Sequence, residues 1–315
     1  MKSKPIDIIS VGELLIDMIS IDFAEKMDEV ETFKRIVGGS PANLAMNMQR
    51  LGKNVRLVAT VGQDDMGNFL MDYVKKLHLD TSLMRQTNVP TTLILVSRSK
   101  NVSNFEPYRG ADAHINMTQL NDEALSQTAI FHTTCFALSK KPAQTNILRG
   151  AKRAVELGCQ LSIDANYAPK IWRNRAEAQR IVAEYCSHGA YVKVSEVDWE
   201  RLYGTKLTNP EEAAKHFLAL GSKNVCVTLG GDGCFVADTE GGHFVPARKV
   251  DVKDTTGAGD AFWSGFLTAR LDGHTVLNAA IAARRMAELK LGHFGPLPSS
   301  VDRSLIYEDL NKIPT

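Results

Sequence analysis

A charge excess of either sign is missing: 37 Lys and Arg residues face 36 Asp and Glu, a formal net charge of +1. General affinity for nucleic acid needs a strongly basic surface, so that class is set aside. Long apolar runs are missing too. No uncharged stretch approaches the about 18 residues of a membrane span. Asp7 and Glu13 interrupt the first apolar run too early for a secretory leader. Cysteine is sparse: Cys135, Cys159, Cys186, Cys226 and Cys234 are odd in number and lack CxxC spacing. That suits reduced core thiols in a cytoplasmic protein better than a disulfide framework or a zinc site. The eight histidines form no HxH or HxxxH pair. What remains, 44% hydrophobic and 23% charged, is the composition of a globular chain with a sizeable core.

Short apolar runs at 6–11, 55–61, 130–134, 161–164, 191–194 and 224–229 read as buried strands. Segments of helical period at 42–50, 66–77, 143–157, 176–186 and 211–220 separate them. This alternation predicts βαβ units, hence an α/β fold with a mostly parallel sheet covered on both faces. Two stretches depart from it. Residues 14–20 with 32–37, and 93–97 with 103–106, read as strands without a long helix between them, with a hairpin tip at 98–103. They are expected to form ribbons off the main sheet, so that residues 13–37 and 91–109 make a small β lid on a single domain spanning 1–315. Their exposed strands offer a homodimer contact.

The sharpest chemical signal is Asp254-Thr-Thr-Gly-Ala-Gly-Asp-Ala-Phe262, between an extended segment, 243–252, and a helical stretch, 261–271. Gly257, Ala258 and Gly259 bring small residues to a helix start, where backbone N–H groups lack partners and can converge on an anion. Asp260 follows in the first turn. A carboxylate there is a plain cap on the blander reading, but a cap alone does not call for three small neighbours. Together they supply a base and a cradle for developing negative charge, as phosphoryl transfer to an alcohol requires. A dinucleotide fingerprint fails because Phe262 stands at its third glycine position. No Walker A spacing, protein-kinase catalytic loop or HExxH is present.

DTTGAGDAF resembles the signature of the PfkB/ribokinase family of small-molecule kinases. A second motif, Gly38-Gly-Ser-Pro-Ala-Asn43 followed by LAMNMQRLG, matches the family's N-terminal one. The resemblance runs over nearly the whole chain. Within the family, VGELLID, AIFHTTCFALSKKP, SIDANYAPKIW, YVKVSEVDWERL and VTLGGDGC are most similar to fructokinases. The implied fold is a ribokinase-like three-layer sandwich with a β lid. The implied activity is ATP-dependent phosphorylation of a sugar's primary hydroxyl, with fructose first and 2-keto-3-deoxygluconate or 5-keto-2-deoxygluconate as alternatives. A sugar-binding protein that has lost turnover is the rival from another class. A nucleoside kinase is less well supported, since the lid segments show little sign of aromatic base stacking.

The resemblance also distributes roles. Asp260 is the implied catalytic base, and Gly257, Ala258 and Gly259 the anion hole. Gly38 and Gly39 form a sugar platform, with Asn43 offering donor and acceptor to a polyol. Asp17 stands in the apolar run LLIDMIS, where a buried acid needs a partner such as two vicinal hydroxyls. Glu13, four residues earlier, shares that strand face or is a solvated edge residue. Tyr108 and Arg109 in NFEPYRGAD resemble a lid segment that reaches the sugar. Asn166 follows a strand end, where open α/β sheets bind ligands. The family's arginine two positions beyond Asn166 is Ala168 here, with Lys170 and Arg173 nearby. Ser195 and Asp198 stand in place of an Asn-x-x-Glu motif linked to magnesium-bound water. Thr228, Gly230 and Gly233 resemble the nucleotide loop. Asp254 and Thr256 match positions that hold a monovalent cation, commonly K+, a requirement that varies within the family. The implied cofactors are therefore ATP and Mg2+, with K+ open.

Overall fold

The structure, a computed structural model, describes residues 4–98 and 104–310. The first half of the chain runs through strands β1 (Ile6–Val11), β2 (Leu15–Phe23) and β3 (Phe33–Gly38), helix α1 (Ser40–Arg50), β4 (Val55–Val58), β5 (Thr60–Gly62), α2 (Asp65–Lys76), β6 (Arg85–Thr87), β7 (Leu93–Arg98) and β8 (Asn104–Tyr108). Next come α3 (Asp122–Ser126), β9 (Thr128–Thr134), α4 (Ala143–Glu156), β10 (Gln160–Asp164), α5 (Arg175–Cys186), β11 (Tyr191–Ser195), α6 (Glu196–Tyr203) and α7 (Pro210–Ala219). The chain then passes through β12 (Asn224–Thr228), β13 (Gly233–Asp238), β14 (Gly241–Pro246), α8 (Ala258–Leu271) and α9 (Val276–Leu291).

The main sheet has the order β14-β13-β12-β11-β10-β9-β1-β4. It is parallel from β4 to β12, and β13 and β14 close one edge antiparallel. Strand period two sends alternate side chains to opposite faces. Ile8, Ile130 and Cys226 join a core with α1, α2, α8 and α9, whereas Ile9, Phe131 and Val225 join one with α4, α5, α6 and α7. Helices therefore cover both faces, as the strand–helix alternation predicts.

The two ribbons merge into one small sheet of order β3-β2-β7-β8. Each ribbon is antiparallel, and β2 pairs parallel with β7 to join them. The expected hairpin tip, beyond Arg98, lies outside the described residues. The 55–61 run breaks after Val58, and β5 leaves to pair with β6. The segment 243–252 is strand only to Pro246, and the helix expected from residue 261 begins at Ala258. Three helices were not expected: the short α3, α6 and α9. α6 starts on the residue after β11, capped by Ser195, and α9 packs on α8. Among the described residues no helix is long and apolar enough to cross a membrane.

Candidate active site

Two helix starts meet over the C-terminal ends of the parallel strands. α1 begins after Gly39 (φ 104°) and α8 after Gly257 (φ 74°), both in the left-handed region that favours glycine. Asp260 lies in the first turn of α8, with its carboxylate between the two. The Ser40 hydroxyl donates to Asp260 Oδ1 at 2.7 Å and the Asn43 amide to Oδ2 at 2.9 Å. Burial pushes the Asp260 carboxyl up to about 6, against the hydrogen bonds from Ser40 and Asn43. A carboxyl poised there is ionised at neutral pH and basic enough to take a proton. Asn43, expected on the sugar, is thus a direct partner of the carboxylate. Ser40 was passed over, although a hydroxyl inside GGSPAN at a helix start was the available sign.

The sheet beneath α8 carries a polar row. On β10, Leu161 and Ile163 face one core, so Ser162 and Asp164 face α8. On β11, Val192 and Val194 do the same, leaving Lys193 opposite. Register pairs Asp164 with Lys193, and the ammonium donates to both carboxylate oxygens at 2.9 and 2.8 Å. The two side chains are 4% and 6% exposed. Burial works against the Lys193 charge, but Asp164, Asp198 and Asp260 outweigh it and raise the pKa above its ordinary value. A Cβ placed on Gly259 would sit 3.4 Å from Lys193 Nζ, so the lysine reaches up to the turn that opens α8. Sequence reasoning missed Lys193. Its sign was a cation inside the apolar run YVKVS, the same argument that singled out Asp17.

Asp17 projects from β2, and a Cβ on Gly38 would lie 1.9 Å from its Oδ2. Gly38 is bare because the carboxylate fills that space. Asp17 makes no hydrogen bond among the described residues, and burial, with the Asp260 charge second, pushes it up to about 7. Glu13 differs from its expected place. It precedes β2, is buried at 2% exposure, and accepts from the Ser40 N–H at 3.2 Å. A Cβ on Gly39 would strike the Glu13 carbonyl oxygen at 2.3 Å. Glu13 therefore props the start of α1 and is not a solvated edge residue.

The remaining expected residues divide. Arg109 is not an exposed loop arginine. Its guanidinium is spent on Asp112 and Ser139 and lies over the Phe136 ring, 4.3 Å from its centroid. Tyr108 is 61% exposed on β8. Asn166 follows β10 and accepts from the Phe136 N–H at 3.2 Å, which ties it to the same cluster. Lys170 is paired with Glu106 and donates to Asn104 at 2.8 Å. Ser195 and Asp198 form a reciprocal cap on α6, with hydroxyl to carboxylate at 2.5 Å. Ser195 and Thr228 are register neighbours, and the Gly230–Asp232 turn that ends at Gly233 lies beside Glu196. The first-turn amides of α8 are divided as well: the Ala258 N–H donates to the Thr255 carbonyl at 3.2 Å. That bond leaves Gly257 and Gly259 as the better placed amides of the expected cradle.

Known proteins resemble this chain over nearly its whole length. An ATP-dependent 6-phosphofructokinase from Thermoanaerobacterium thermosaccharolyticum is 33% identical over 312 residues, covering 98% of this chain and 96% of that protein. The fructokinase structure from Halothermothrix orenii superposes with a TM-score of 0.76 at 34% identity, over 92% of this chain and 99% of that one. A Pyrococcus horikoshii sugar kinase in complex with ATP gives 0.83 at 25% identity, over 96% and 99%. The family model for pfkB family carbohydrate kinases matches residues 6–303, and the chain belongs to that family.

Proposed function

We propose that the chain transfers the γ-phosphoryl group of ATP to a primary hydroxyl of a sugar, with fructose first among the substrates. The carrying observation is the Asp260 carboxylate, held by Ser40 and Asn43 where two helix starts converge. In this reading the sugar hydroxyls donate to the Asp17 carboxylate. Asp260 takes the hydroxyl proton, the oxygen attacks the γ-phosphorus, and ADP leaves. The Gly257 and Gly259 amides and the Lys193 ammonium face the charge that builds on the transferring group. Thr228, Gly230 and Gly233 are assigned to the nucleotide, at the C-terminal ends of β11 and β12.

Asp198 is turned into its own helix cap, and among the described residues no group of three or more acidic, His or Cys side chains is placed to hold a metal. Magnesium therefore fits as a partner of the nucleotide phosphates and supplies charge neutralisation there when bound. The small sheet is read as a lid. Lys34 of β3 lies over the Phe294 ring and Lys170 pairs with Glu106 of β8, which brings that sheet onto the rest of the site.

Fructose is favoured over sugar acids because Arg109 and Lys170, two of the three expected partners of a carboxylate, are already paired, which leaves only Arg173. A second reading, fructose 6-phosphate, rests on Lys34 and Arg35. They form no ion pair among the described residues and lie over the rings of Phe294 and Phe69, free to draw a phosphate. ADP release with fructose, fructose 6-phosphate and the two keto-deoxygluconates decides between them. Fructose is expected to give the highest kcat/KM. Preference for the phosphate would change the sugar and keep the chemistry, and no release above the ATP-only background would leave only a binding protein.

The pKa directions fix a pH profile. Asp260 and Asp17 must both be ionised, to take a proton and to accept hydroxyls. The kcat/KM for sugar should therefore fall on the acid side through about 7 and again through about 6, approaching a two-proton slope. Asp17→Asn should leave a one-proton limb with a raised KM. A flat profile between pH 5 and 8 would remove both assignments.

A further inference from the structure

The expected cation position is not an open oxygen cage. Asp254 Oδ1 accepts the Thr256 N–H at 2.9 Å. Its Oδ2 accepts both the Gly295 N–H at 3.2 Å and the Lys290 ammonium at 3.2 Å. Lys290 comes from the last turn of α9, is 7% exposed, and also donates to the His293 carbonyl at 3.5 Å. The ammonium thus lies among a carboxylate, a main-chain carbonyl and a helix C-terminus, the surroundings that hold a cation. A second monovalent cation on Asp254 would lose the carboxylate charge to this ion pair and meet a like charge beside it. The residues present do not fit a bound potassium ion.

The ammonium is also joined to the catalytic turn. The Lys253 and Asp254 N–H groups donate to the Leu291 carbonyl at 2.8 and 3.4 Å, stitching this loop to the end of α9. A Cβ on Gly257 would lie 4.0 Å from Lys290 Cε, so the lysine stem runs beside the residue that opens α8. We propose that Lys290 Nζ is a built-in monovalent cation that holds Asp254 and the 292–295 turn together, so that phosphoryl transfer needs no potassium. This rests on the reading of 254–260 as the phosphoryl site.

Two measurements test it. Wild-type turnover should change by less than about twofold when tetramethylammonium replaces potassium or sodium as the counterion, with Mg–ATP constant. Lys290→Ala should lose about tenfold or more in tetramethylammonium buffer and recover on adding potassium or ammonium chloride. Without substrates, potassium should raise the melting temperature of Lys290→Ala and not of the wild type, since only the variant has a vacated site to bind it. Strong potassium activation of the wild type overturns the proposal. So does a folded Lys290→Ala that keeps full activity in tetramethylammonium buffer, or that potassium neither rescues nor stabilises. If Lys290→Ala fails to fold, the wild-type ion series decides alone. If no sugar is turned over, the kinase reading fails, and the potassium-dependent melting of the variant still tests the site.

Discussion

Asp260→Asn is expected to lower kcat by about 10² to 10⁴ or more, while sugar and nucleotide still bind within a few fold. The amide is nearly isosteric but cannot take a proton. Ser40 still has an oxygen to donate to, whereas the amide of Asn43 now faces another amide nitrogen and must turn to offer its oxygen. The site is therefore kept in shape and stripped of its base, so the loss should appear in kcat and not in KM. Calorimetric binding of sugar and steady-state ADP release, run on the same preparations, separate the two. One further sign is expected. The Asp260 charge helps to raise Asp17, so the Asp17 pKa should fall in the variant. Undiminished turnover in Asp260→Asn would remove the carboxylate from the mechanism altogether.

How far the sequence revealed this site depended on what kind of constraint each residue obeys. Strand period and helical spacing located β1, β9, β10, β11 and α4 within a few residues, because a sheet covered on both faces needs continuous apolar runs. α6 is hidden in the sequence because Glu196 begins a helix with no loop after β11, and the family resemblance reads Ser195 and Asp198 only as ligands. Their reciprocal cap is local chemistry that a motif match does not distinguish from a metal role. Asp17 was legible because an acid in an apolar run must find a partner. Lys193 obeys the same rule, yet its partner Asp164 is a strand away and only register brings them together. Lys290 carried no sign of its own. A lysine in the last turn of a helix is ordinary, and its meaning comes from Asp254, 36 residues earlier in the chain.

Lys193→Met separates the two things this lysine does. Removing one partner of a buried ion pair leaves Asp164 uncompensated, and such losses cost about 3–5 kcal/mol. The variant should therefore melt well below the wild type. It should also lose about 10² to 10³ in kcat, since a preorganised charge beside the α8 turn no longer meets the transferring group. A fall in stability alone would not establish the second role, so the pair must be removed as a whole. In Lys193→Met with Asp164→Leu the hydrogen-bonded partner goes with the ammonium, and only the weaker influence of the lysine on Asp198 and Asp260 stays lost, so part of the lost stability should return. Turnover should not return with it, because the ammonium is still missing. If the double variant melts like the wild type and also phosphorylates at the wild-type rate, Lys193 is only a strut between β10 and β11. If it refolds and stays slow, with sugar and ATP bound normally, the lysine acts on the phosphoryl group beside Asp260.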